Sequence, residues 1–209
     1  MRNYINAKFK IFSLQKKNNI ALINNKKFKK VFIKNKYKSK LKLVNEYNFR
    51  KIKNRLENNY LNSEVNQENM KFVYVLSKFF KIKEKNLVNS VNSFNGLAHR
   101  YEIFLQKNKK IYINDSKATS FEASKFALKS NKNIFWIVGG FPKEGDKFKL
   151  GNLKKNIIKS YIIGKHFNFF KNQLNGKIPF EYSKTLRRAI ISIFKDLKKT
   201  DENQITILL

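Results

Sequence analysis

Asp115, Lys117, Thr119 and Ser120 fall within six residues, at the end of the apolar run Ile111-Tyr112-Ile113-Asn114 and just before a helical segment. A carboxylate, an amine and hydroxyls at the carboxyl end of a strand face the crevice where open α/β sheets bind ligands. There Asp115 can hold a ribose hydroxyl or position a metal, Lys117 can neutralise phosphate or carboxylate, and Thr119 can hydrogen-bond either. Thr119 and Glu122 also fit a capping box, S/T-x-x-E, in which the hydroxyl closes the first helical turn. The two roles are compatible, because a helix N-terminus is itself an anion site.

Two further clusters flank this one. Upstream runs Phe94-Asn95-Gly96-Leu97-Ala98-His99-Arg100-Tyr101-Glu102. Downstream, the apolar run Asn133–Val138 ends in Gly139-Gly140-Phe141-Pro142-Lys143-Glu144-Gly145-Asp146. Taken singly, Arg100 reads as a surface charge, Asp115 as a turn acid and Lys143 as a solvated loop lysine. Their joint spacing is what makes them candidates.

The elements that must position these groups alternate from Phe94 onward. Strands are expected at 101–105, 110–114, 133–138, 159–163, 178–181 and 204–209, and helices at 121–129, 150–158, 166–174 and 184–199. Such alternation predicts an α/β fold with a doubly wound, mostly parallel sheet. In the last helix Leu186, Ala189, Ile190, Ile193, Phe194 and Leu197 recur at 3.6 spacing and are expected to be core. Before Phe94 the reading gives a helix in 1–15, a strand at 19–24, short and partly exposed strands in 26–53, and a helix at 84–92. Between them Asn66 is expected to cap a helix carrying Met70, Val73, Leu76 and Phe80. The chain stops inside an apolar strand, which is unusual for a native domain.

Composition bounds the function. A length of 209 residues suits one or two domains, and 42% hydrophobic residues with 14% aromatics suit a packed core. There are no cysteines and two histidines, which excludes a disulfide framework, a thiolate metal site and a multi-histidine centre. No apolar run has the length of a membrane span and the amino terminus lacks a signal-peptide core, so a cytoplasmic protein is expected. The formal net charge of +32 invites a nucleic-acid reading, a basic α/β module that binds RNA or DNA non-specifically, with Phe79, Phe80, Tyr101, Phe167, Phe169 and Phe170 available for stacking. Against it, Lys, Asn, Ile and Phe are over-used together, as A+T-rich coding DNA produces, and the basic residues are spread along the chain. No G-x-x-x-x-G-K-[ST] phosphate loop is present.

In order and spacing the three clusters resemble the C-terminal domain of the Mur ligases, and within that family the branch that adds D-glutamate: F-x-G-L-x-H-R-x-E, then N-D-S-K-A-T-N, then G-G-x-x-K. Ser120 replaces the final Asn, and Glu144-Gly145-Asp146-Lys147 departs slightly from the usual K-G-x-D. Tyr4-Ile5-Asn6-Ala7-Lys8-Phe9-Lys10-Ile11 resembles the family's Y-x-x-A-K-x-x-I in the central ATPase domain. Leu61–Asn69 resembles L-x-G-x-H-N-x-x-N, with Ser63 for Gly and Val65 for His. The resemblance implies that residues 1–93 are the C-terminal portion of the central domain without its phosphate loop. Residues 94–209 would be the amino-acid-binding domain without its last segment.

It also implies the chemistry: ATP- and Mg2+-dependent amide-bond formation joining D-glutamate to UDP-N-acetylmuramoyl-L-alanine in peptidoglycan precursor synthesis. On this resemblance Lys8 would be the carbamylated lysine that helps place magnesium, and Asn66 and Asn69 would approach the adenine. Arg100 would contact the nucleotide, Asp115 its ribose, and Lys117 the phosphoryl group or acyl intermediate. Thr119 and Lys143 would bind the carboxylates of D-glutamate. A chain limited to these parts is expected to be inactive alone, with a separate chain as the possible source of the missing domains.

Overall fold

The structure, a computed structural model, describes residues 2–58, 60, 61, 64–149 and 151–209, the side chains of 2, 3, 46–48, 64 and 65 excepted. Ser63 and Val65 of the asparagine motif thus lie outside the described residues or side chains. The chain divides into two compact units, Met1–Phe94 and Asn95–Leu209.

The first unit runs α1 (Arg2–Ser13), β1 (Ile20–Ile23), α2 (Lys26–Lys34), β2 (Lys40–Leu43), α3 (Glu46–Lys53), α4 (Glu64–Phe79) and α5 (Glu84–Asn92). β1 and β2 pair in parallel. The expected strands across 26–53 are therefore replaced by helix, strand and helix. Val31 and Ile33 suggest a two-residue period, but the face that packs is Phe28, Val31 and Phe32, at helical spacing. Phe32 is buried with Phe9, Ala21 and Ile23, whereas Ile33 is exposed. The Asn25 side chain accepts from the Lys27 N–H and starts α2. A second core, of Phe49, Ile52, Leu56, Met70, Tyr74, Leu87, Val88 and Val91, joins α3, α4 and α5. In α4 Met70, Tyr74, Val75 and Ser77 are buried, while Val73, Leu76 and, just past its end, Phe80, all expected inside, are exposed. Asn66 lies inside α4 rather than at its cap.

The second unit contains β3 (Glu102–Lys107), β4 (Lys110–Asn114), α6 (Phe121–Ser130), β5 (Ile134–Gly139), β6 (Ile157–Ile163), α7 (Phe167–Leu174), β7 (Phe180–Lys184), α8 (Leu186–Leu197) and β8 (Ile205–Leu208). The six strands form one sheet in the order β3-β4-β8-β5-β6-β7. β3 is antiparallel to β4, and every other pairing is parallel. This is the mixed, mostly parallel α/β sheet that the alternation predicted. Ile134 and the terminal strand share it: Ile134 pairs with Thr206 and Trp136 with Leu208. In place of the helix expected at 150–158, a short 3₁₀ turn spans Gly151–Asn156, because Ile157 and Ile158 belong to β6.

The sheet is covered on both sides, which is why β5 reads as an unbroken apolar run. Ile134, Trp136 and Val138 pack with Phe121, Leu128 and Leu174 on one face. Phe135 and Ile137 pack with Tyr161, Ala189 and Ile193 on the other. Only the Ala189–Ile193 line of α8 is fully buried. Leu186, Ile190 and Phe194, expected to be core, remain 41%, 40% and 52% exposed, because the helix meets the sheet along one edge of its apolar stripe. No helix among the described residues is long and apolar enough to cross a membrane.

Candidate functional site

β4 delivers Asn114 and Asp115 to the carboxyl edge of the sheet, and the chain turns at once: the Ala118 N–H donates to the Asp115 carbonyl at 2.7 Å. The His99–Tyr101 loop lies against this turn. The Lys117 N–H donates to the His99 carbonyl at 3.0 Å, the Tyr101 N–H donates to Asp115 Oδ1 at 3.0 Å, and His99 Nδ1 lies 2.8 Å from Asn114 Nδ2. Two of the three sequence clusters are thus joined by hydrogen bonds. His99 and Tyr101 adopt left-handed φ of 63° and 49°, a conformation uncommon for non-glycine residues and concentrated at functional sites.

Asp115 is half-buried. Burial pushes its carboxyl above the ordinary aspartate range, opposed by the Tyr101 N–H and by the positive field of Arg100. Its second oxygen carries no hydrogen bond from the described residues.

The third cluster closes on the same edge. Ser116, Thr119, Ser120 and Ser124 share a cavity of about 180 Å³ with Gly139, Phe141, Lys143 and Asp146. Asp115 lines an adjoining cavity of about 280 Å³, and both are walled by Ser116, Ala118, Ser124, Gly139 and Gly140. Gly139 is required here: a Cβ at that position would stand 2.3 Å from the Ile163 carbonyl oxygen. Gly140 takes φ +101° to turn the loop over the cavity.

Thr119 is not the helix cap. Ser120 fills that role, accepting the Ala123 N–H at 3.3 Å, so Thr119 is left exposed at the cavity wall. The capping box expected of Thr119 and Glu122 does not form: the cap moves one residue on to Ser120, opposite Ala123, and the Glu122 side chain pairs with Lys125.

The structure therefore brings Thr119 and Lys143 together, with Asp115 next to them and Arg100 within its electrostatic reach. The Lys117 and Arg100 side chains are exposed and line neither cavity. Lys8, Asn66 and Asn69 belong to the other unit. Lys8 is exposed on α1 with its ammonium 5.5 Å over the Tyr4 ring. Asn66 is buried, donates to the Tyr60 carbonyl at 2.9 Å and accepts from Asn69 at 3.3 Å.

No three His, Asp or Glu side chains converge among the described residues, and a free lysine ammonium is not a metal ligand. Magnesium is commonly held by one or two protein oxygens together with phosphate oxygens, so the described residues hold no preformed magnesium cage.

Sequence reading gave no individual role to His99, Phe141 or Asp146, and gave Tyr101 only base stacking in the nucleic-acid reading. All four stand in the quoted clusters, and their spacing was the available signal. Phe141 is 87% exposed at the cavity mouth, edge-to-face with His166 at 4.9 Å.

The chain matches no protein-family model. Among curated proteins it is 36% identical over 128 residues to the UDP-N-acetylmuramoylalanine–D-glutamate ligase of Rhizobium meliloti (strain 1021), 61% of this chain and 28% of the relative. It is 34% identical over 149 residues to that of Wolbachia sp. subsp. Brugia malayi (strain TRS), 71% of this chain and 30% of the relative. With that of Brucella abortus (strain 2308) the figure is 45% over 101 residues, 48% and 22% of the two chains. The chain thus spans less than a third of the length of these relatives. The MurF ligase of Thermotoga maritima, solved in complex with ADP, shares the fold, with a TM-score of 0.66 over 99% of this chain and 53% of that one, at 13% identity. The chain is thus similar in sequence, over the matched stretch, to D-glutamate-adding Mur ligases and in fold, over nearly its whole length, to a further Mur ligase.

Proposed function

We propose that this chain is the amino-acid-binding part, together with a portion of the ATPase part, of a ligase that joins D-glutamate to UDP-N-acetylmuramoyl-L-alanine at the expense of ATP. The observation that carries this reading is the shared cavity of Thr119 and Lys143 beside the half-buried Asp115. A cavity of about 180 Å³ suits one small amino acid better than a nucleotide, since larger ligands occupy upwards of ~300 Å³.

In this reading the Lys143 ammonium and the Thr119 hydroxyl hold the carboxylates of D-glutamate. Asp115 accepts a ribose hydroxyl, with the planar Arg100 guanidinium beside the nucleotide. Lys117 neutralises charge on the acyl phosphate made from the muramoyl-alanine carboxylate, and attack by the D-glutamate amine expels phosphate. ATP supplies the phosphoryl group. Lys8, as a carbamate, and Asn66 and Asn69 keep the roles that the resemblance implies, toward magnesium and adenine.

Turnover requires a preorganised cradle of backbone N–H groups for the β- and γ-phosphates, and these 209 residues include no Gly-rich Lys-Ser/Thr loop. Purified chain given ATP, magnesium, UDP-N-acetylmuramoyl-L-alanine and D-glutamate is therefore expected to release no phosphate, while binding D-glutamate in a manner that Thr119→Ala and Lys143→Ala weaken. Phosphate release that disappears in Lys117→Ala would overturn the expected inactivity. Failure to bind D-glutamate would overturn the assignment of the cavity.

A further inference from the structure

Lys143 and Asp146 line the same small cavity, yet make no ion pair with each other. They sit on one turn, closed by the Asp146 N–H donating to the Lys143 carbonyl at 3.0 Å. The Asp146 carboxylate is held from behind. Its Oδ2 accepts the Phe121 N–H at 2.9 Å in the first turn of α6. Two residues on, Phe148 is buried, stacked on Phe121 at 4.6 Å and 28°, and its N–H donates to the Gln173 side chain at 3.0 Å. The loop is thus fixed to α6 and α7, and Oδ1 of Asp146 has no partner among the described residues.

One consequence concerns negative groups. Asp146 and the Ser120 hydroxyl already take the Phe121 and Ala123 N–H groups in the first turn of α6, which leaves that helix end less free to hold an anion. Carboxylates in the cavity fall to Lys143 and Thr119, and the one carboxylate that lines it, for the positive end of a zwitterion, is Asp146.

We infer that Asp146 receives the ammonium group of the incoming amino acid through its unpartnered oxygen. The assignment rests on the D-glutamate reading of the cavity and adds to it the residue that distinguishes an amino acid from a plain dicarboxylate. An ammonium-to-carboxylate hydrogen bond is among the stronger kinds, and its loss is felt only by ligands that carry the ammonium.

The test is calorimetric titration of the whole chain with D-glutamate and with glutarate, the same dicarboxylate skeleton without the amino group. Unmodified protein should bind D-glutamate about tenfold or more tightly than glutarate. Asp146→Asn, which keeps an acceptor for the Phe121 N–H, should bring the two affinities together by weakening D-glutamate alone, whereas Lys143→Ala should weaken both. Near-ultraviolet dichroism of Trp136, the only tryptophan, reports whether the variant is folded. Equal affinity of unmodified protein for the two ligands would overturn the inference without recourse to a variant. So would a preference for D-glutamate that survives in Asp146→Asn, or an equal loss of both ligands there. Absence of any D-glutamate binding to unmodified protein would instead overturn the underlying reading, and this assignment with it.

Discussion

Two charged regions of the Asn95–Leu209 unit treat their ionisable groups in opposite ways. On the β6–β7–α8 side, Lys159 bridges Glu181 at 2.9 Å and Asp196 at 2.7 Å, Tyr161 donates to Asp196 at 2.6 Å, and Ser192 donates to Glu181 at 2.5 Å. Burial opposes each charge there, but the hydrogen bonds outweigh it. Asp196 and Glu181 are held below the usual carboxylate range, and Lys159 above the usual lysine range. At the crevice, burial wins over the Tyr101 N–H and Arg100, and Asp115 is pushed up. Lys143 and Asp146 face one cavity without pairing. The first region is a closed set of partners that tie two strands to a helix. The second keeps valences open at a cost in stability, as groups kept for a ligand do.

The largest expected effect tests how rigid the crevice is. Gly139→Ala places a methyl 2.3 Å from the Ile163 carbonyl, against backbone that cannot give way without moving β6. It should destabilise by about 3 kcal/mol in urea unfolding. A cost near zero would mean that the strand edge yields and that the cavity wall is not fixed.

Next comes the closed cluster. Lys159→Met leaves Glu181 and Asp196 near one another without their shared cation. Their side chains are a quarter to a third exposed, so solvent moderates the loss to about 2 kcal/mol, between the surface and buried limits. Unchanged stability would remove the contrast between the two regions.

The pH dependence sharpens it, because the two aspartates have opposite signs. With its folded pKa lowered, Asp196 contributes stability that is present above the ordinary Asp value and lost as pH falls through its folded one. With its folded pKa raised, Asp115 contributes a penalty that appears as pH rises from the ordinary Asp value through its folded one, and that remains at neutral pH. Thermal melts should therefore show Asp196→Asn below the unmodified protein at pH 7 and Asp115→Asn above it, the latter by about 1 kcal/mol or less. Both differences should vanish below the lowest folded pKa. The same sign for both variants at pH 7 would contradict the comparison. Smallest of all, Phe141→Ala removes an exposed ring and should change stability by no more than about 0.5 kcal/mol.

Much of the second unit was legible because period and length agreed. β5 is a five-residue apolar run closed by glycine, and α8 has a 3.6-residue stripe begun by Thr185, whose hydroxyl accepts the Arg188 N–H. The first unit was harder. Across 26–53 lysines alternate with apolar residues so densely that two-residue and 3.6-residue periods both fit. The choice fell to packing, which buries Phe32 and leaves Ile33 in solvent. In α4 the helix and buried Met70 were legible, but packing buries Tyr74 where Val73 and Leu76 were expected.

The sequence by itself determined which chemistry is on offer: a carboxylate, lysines and hydroxyls at strand ends, glycines to turn the chain at 139–140, and no phosphate loop within these residues. Those are properties of residue type and local order, which no packing changes. Tertiary structure decided which groups meet. It set Lys143 and Asp146 beside Thr119 across dozens of residues, left Lys117 outside both cavities, and gave the α6 cap to Ser120 with Asp146 as its neighbour. Pairing of distant side chains depends on strand order and on the direction of each loop, and those are fixed only when both faces of the sheet are buried.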